Sequence, residues 1–62
     1  MRILLHDIAN PERQILLWVK RIRYVDDYKQ GASVFYKGGC RFDVIETAEE
    51  ISSLIFLHER KD

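Results

Sequence analysis

The chain has 62 residues, a single cysteine, and ten Lys plus Arg against ten Asp plus Glu. Cys40 alone excludes an internal disulfide, and His6 and His58 stand apart from any cysteine cluster, so no metal-ligand spacing is present. Zero net charge gives no overall pull toward nucleic acid, an anionic membrane or an acidic substrate.

The start of the chain, "MRILLHDIANPER", carries only a short apolar run, too short for a signal peptide or a membrane span. With the lone thiol, that predicts a reducing, cytoplasmic setting. Residues 2–6, "RILLH", read as a short strand, and "DIANPE" as a turn punctuated by Asn10-Pro11. Residues 14–28 admit two readings. Asn10 as a cap, Pro11 in a first turn, and Ile15, Trp18, Val19, Ile22 and Val25 at helical spacing suit one helix over 11–29. The unbroken apolar run from Ile15 to Val19 and the aromatic and branched residues suit two strands, 14–18 and 22–28, kinked at "VKR". The two-strand reading is preferred.

"KQGA" reads as a turn with Gly31 at its tip, followed by a hairpin of 33–37 and 41–45. A two-residue Gly-Gly loop would set Val34 opposite Asp43. A three-residue loop, Gly38 to Cys40, pairs Tyr36 with Phe42 and Val34 with Val44 and keeps one face apolar, so it is preferred. Thr47 and Glu50 form a T-x-x-E capping box, which lets strand pass into helix without a linker. Glu49 and Glu50 at one end, with Arg60 and Lys61 at the other, complement the dipole of a helix over 48–60. Its inward stripe is Ala48, Ile51, Leu54, Ile55 and His58. Phe56 and Leu57 project about 90° to either side of that stripe.

The fold expected is α+β: a small antiparallel meander of four or five strands with one C-terminal helix, the alternative being β-α-β-β-α with 11–29 helical. It forms one domain, residues 1–62.

No catalytic site can be read. Ser33, Ser52 and Ser53 lack a nucleophile-elbow setting, and Cys40 has no histidine near it in sequence. His6-Asp7 and Asp26-Asp27 read as structural or solvated pairs, and "KGGC" lacks the rest of a phosphate-binding loop. No enzyme activity, cofactor or metal is therefore expected. Domains of this size hide only about 60% of the surface of the unfolded chain and commonly depend on a partner subunit. That predicts a non-enzymatic interaction module that forms a homo-oligomer, with Ile3 and Leu5 on an edge strand and Phe56 and Leu57 on the helix as contacts. The alternative is a nucleic-acid-binding regulator that uses Lys20, Arg21, Arg23 and Arg41 beside the sheet aromatics.

From Gln14 onward the series "ILLWVKRIRYV", "GASVFYKGG" and "FDVIETAEEI" resembles the FlbD family of small flagellar and swarming-motility proteins, and short phage-borne chains of the same pattern. Val44, Glu46, Thr47, Glu49, Glu50 and Ile51 match the family's V-x-E-S/T-x-E-E-I/V residue by residue. Val19-Lys20-Arg21 departs from it, since such chains often carry Asn-Pro-Asp-like residues before the isoleucine. The resemblance implies strands, a Gly-tipped hairpin and a closing helix, with no enzyme activity and no catalytic residue. The pattern also looks like part of a LytTR-type DNA-binding domain, which is longer. Carbon storage regulators are as short and bind RNA as strand-swapped dimers, but their opening and central motifs are absent here.

Overall fold

Two apolar runs, "ILL" in residues 3–5 and "ILLW" in 15–18, are too short for helices and rich in residues that suit a pleated surface. In the structure, a computed structural model that describes residues 1–59 and side chains through Leu57, they form strands β1 (Arg2–His6) and β2 (Gln14–Trp18). The two pair antiparallel, with Ile3 opposite Leu17 and Leu5 opposite Ile15. The turn between them is held locally: Asp7 Oδ1 accepts from Ala9 N–H (2.9 Å), and the Asn10 carbonyl accepts from Arg13 N–H (2.9 Å). Asn10 therefore closes a turn and does not cap a helix.

The helical alternative for 11–29 is overturned. After Trp18 the chain makes a single 3-10 turn, Val19–Arg21, and leaves as β3 (Ile22–Tyr28). Val19 and Ile22 point back to the core while Lys20 and Arg21 stay in solvent. Strand β3 pairs with β4 (Gly31–Tyr36), and β4 with β5 (Cys40–Val44). A register shift between Ile22 and Tyr24 puts Ile22 and Val25 on the same, inward face of β3, while Tyr28, in unbroken register with Tyr24, is half-buried on the other face beneath Arg41.

The five strands thus divide into a two-stranded ribbon, β1-β2, and a three-stranded sheet, β3-β4-β5. They meet where Asp7 bridges Val44, with Ile45 N–H donating to the His6 carbonyl (2.9 Å) and Ile8 N–H to that of Asp43 (3.0 Å).

Two expectations about turns are corrected. The β4–β5 loop has three residues, but they are 37–39: Tyr36 pairs with Cys40, Val34 with Phe42 and Ala32 with Val44. This register shifts the expected pairing by two residues, which leaves the apolar face intact and lets Gly38 (φ 90°) and Gly39 (φ 78°) take the left-handed conformations. Gly31 is not a turn tip. It is buried in β4, where a Cβ would collide with the Val44 carbonyl, so close packing demands it, and the turn is carried by Lys29 at φ 53°.

The joint after β5 is the expected capping box. Thr47 N–H donates to Glu50 Oε1 (2.8 Å), and Glu50 N–H donates to Thr47 Oγ1 (3.1 Å). Helix α1 (Ala48–Glu59) follows at once and lies against β3. Ile51 is buried, and Ala48, Leu54 and Ile55 pack around it. The expected places of the His58 side chain, Arg60 and Lys61 lie outside the described residues. The sealed core is Ile3, Leu5, Leu17, Ala32, Val34, Val44 and Ile51. At about 1.5–3 kcal/mol per buried large side chain, so few residues leave little margin over the entropy of ordering the chain.

Candidate interaction surface

A two-stranded ribbon can bury only one face against its own core. Because residues 3–5 and 15–18 are apolar at every position, the other face must also be apolar. Leu4 lies opposite Leu16, and Arg2 opposite Trp18. Leu4, Leu16 and Trp18 are 44%, 51% and 45% exposed, and the Arg2 guanidinium lies 5.1 Å from the centre of the Trp18 ring.

The outer edge of β2 adjoins this face. Arg13 accepts from Asp7 N–H and Val19 donates to Met1, so the odd-numbered residues of β2 bond to β1 and the even-numbered ones face outward. Trp18 N–H donates to Tyr36 Oη (3.0 Å). Among the described residues, the Leu16 amide has no hydrogen-bond partner.

Ile3 and Leu5, expected at a subunit contact, are instead core residues, 2% and 0% exposed. The pleat that sends them inward sends Leu4 outward. Phe56 and Leu57 project from α1 as expected, 55% and 65% exposed. The outward leucines could have been found from sequence, since a strand with no polar alternation exposes something apolar unless a second layer covers it.

A polar network occupies the outer face of the three-stranded sheet. Ser33 Oγ–H donates to Asp43 Oδ1 (2.6 Å), and Arg41 Nε–H donates to the same oxygen (2.9 Å). The Ser33 bond, then the Arg41 guanidinium, hold the Asp43 carboxyl below its usual range. The hydrogen bond and charge of Asp43 raise the Arg41 pKa in turn. The Arg41 guanidinium also lies over the rings of Tyr28 (5.1 Å) and Phe35 (5.8 Å), and Phe35 stacks on Tyr24 with ring centres 4.5 Å apart. No sequence signal links Ser33 to Asp43 until the β4–β5 register is known.

Of the other basic candidates, Lys20, Arg21 and Arg23 are exposed at or just after the 3-10 turn, close to the Trp18 end of the ribbon, whereas Arg41 is held by Asp43. His6 turns to Glu46, not to Asp7: its ring Nδ1 is 2.7 Å from Glu46 Oε2, and its backbone N–H donates to Oε1 (3.0 Å). Both carboxylate oxygens are committed to His6, which ties β1 to the joint between β5 and α1. Cys40 is exposed at the start of β5.

An open groove runs between the 7–15 segment and Arg41, Phe42 and Asp43. It brings no nucleophile against a base. Among the described residues no group of three His, Cys, Asp or Glu side chains is placed to hold a metal, and no helix is long and apolar enough to cross a membrane. Comparison of the chain with protein-family models, with curated proteins and with solved structures finds no match.

Proposed function

We propose that the chain is a non-enzymatic interaction module that self-associates through the outer face of the β1-β2 ribbon. One observation carries this reading: the middle of the ribbon is apolar on both faces, and the face turned away from the core leaves Leu4, Leu16 and Trp18 about half exposed. A second copy of the same chain suits that face because a two-fold contact sets each leucine against its own kind and supplies the second layer that an all-apolar strand requires. The small core favours the same outcome, since each leucine newly covered contributes on the order of 1 kcal/mol to a marginal domain. Leu57 is a further exposed apolar side chain, on the helix.

The test is sedimentation equilibrium of the wild type and of Leu16→Glu. Position 16 is exposed, so the variant keeps its fold, which far-UV circular dichroism checks. The expected result is a wild-type dimer or higher oligomer and a monomeric variant. A wild-type monomer at all concentrations, or an oligomer that Leu16→Glu leaves intact, contradicts the proposal.

A further inference from the structure

Zero net charge conceals a separation of charge along the molecule. Segments 1–6, 14–25 and 33–42 contain no Asp or Glu, yet they carry Arg2, Lys20, Arg21, Arg23, Lys37 and Arg41. The strand registers gather these segments at one end. Arg2 pairs with Trp18, Ile22 with Tyr36 and Tyr36 with Cys40, while Lys37 N–H donates to the Arg21 carbonyl (2.8 Å) and Trp18 N–H to Tyr36 Oη. The opposite end holds Asp7, Asp27 and Glu46, around the bridge from Asp7 to Val44. Among the described residues, Arg2, Lys20, Arg21, Arg23 and Lys37 form no ion pair with a carboxylate, and the carboxylate partner present near this end is Asp43, which holds Arg41.

These cations are interleaved with rings. Trp18 directly precedes the 3-10 turn, and Tyr24 directly follows Arg23. Tyr24 is 55% exposed although Phe35 covers one side of its ring, so its other side is presented to solvent. The Tyr24–Phe35 stack, continued by the Arg41 guanidinium, is an arrangement that one more planar group can extend.

We propose that this basic end binds the sugar-phosphate backbone of a single-stranded nucleic acid, with Lys20, Arg21, Arg23 and Lys37 on phosphates and Tyr24 stacking on a base. Unpaired cations lose few protein contacts on meeting phosphate, and their release of counterions drives binding. An exposed ring face accepts any base, which makes the surface tolerant of sequence. An anionic bilayer would use the cations equally but would leave the Tyr24–Phe35 stack without a role. The contacts proposed, Lys20, Arg21, Arg23, Lys37 and Tyr24, are distinct from the ribbon contact of Leu4, Leu16 and Trp18, so this inference does not depend on self-association.

The test is fluorescence anisotropy with labelled mixed-sequence single-stranded RNA and DNA across a salt series. Co-sedimentation with phosphatidylcholine–phosphatidylserine vesicles is run in parallel, and each titration is repeated in the Leu16→Glu background so that oligomer state is held apart. The expected log–log salt slope lies between about −2 and −3, at about −0.7 per phosphate contacted. Lys20→Glu combined with Arg21→Glu weakens binding by at least about tenfold and flattens the slope by about 1.4. Tyr24→Ala weakens binding by roughly five- to a hundredfold and leaves the slope unchanged. Arg13→Glu combined with Lys29→Glu makes the same change in net charge away from the basic end, and it leaves affinity within about twofold because those cations track no phosphate. Absence of binding at low salt, equal damage from the two double variants, or binding to vesicles and not to oligonucleotides overturns the proposal.

Discussion

Asp43 illustrates how a half-buried charge is held at the level of single residues. Its carboxylate accepts from the Ser33 hydroxyl and the Arg41 guanidinium, so its pKa in the folded chain lies below the ordinary 3.8. A carboxyl whose pKa is lowered on folding stabilises the fold above its unfolded pKa, and that contribution is lost as pH falls through the folded value. Urea unfolding followed by circular dichroism therefore shows wild-type stability declining as pH drops below about 4. Asp43→Asn lowers stability at neutral pH by about 1 kcal/mol and shows a shallower decline in acid. Equal acid sensitivity in the two proteins would mean that other carboxyls dominate.

The same scale shows where reading from sequence fails. His6 and Glu46 are 40 positions apart, and no local pattern pairs them. They meet because the end of β1 bridges the end of β5. Gly31 was legible as a glycine that the fold needs, but its reason, the approach of the Val44 carbonyl, belongs to tertiary packing and not to a turn.

Among the elements, the joint between β5 and α1 was the most legible because both partners of its capping box lie within four residues. Thr47→Ala removes the oxygen that satisfies the Glu50 amide and is expected to cost about 1 kcal/mol of stability. Thr47→Ser keeps that oxygen and is expected to cost much less. Urea denaturation of the two variants checks this, and equal losses would contradict the capping role.

The kink at Val19–Arg21 was also legible, since the apolar run before it and the alternation after it could not lie on one straight strand. The division into ribbon and sheet was not. It depends on β1 returning to β5, a contact between distant segments that short-range patterns do not encode. The apolar phase of the β4–β5 hairpin was read correctly because the buried face fixes it. Its loop was misplaced because registers two residues apart keep the same face inward.

At the scale of the whole molecule, a thin β layer and one helix seal a small core and leave apolar side chains outside it. Of the exposed apolar positions expected from sequence, Phe56 and Leu57 are on the surface, whereas the strand positions are off by one residue. Ile3 and Leu5 fill the core, and their outward neighbour Leu4 joins Leu16 on the surface. The charge separation behind the nucleic-acid proposal was likewise hidden in a balanced composition until the registers brought three acid-free segments to one end.

The most direct test of the ribbon contact is the emission maximum of Trp18, the single tryptophan of the chain, followed through a dilution series of wild type and Leu16→Glu. The self-association proposal predicts a blue-shifted maximum for concentrated wild type, from an indole covered by a second copy, and a red-shifted one for the variant at every concentration. Identical maxima in both proteins throughout the series would contradict it.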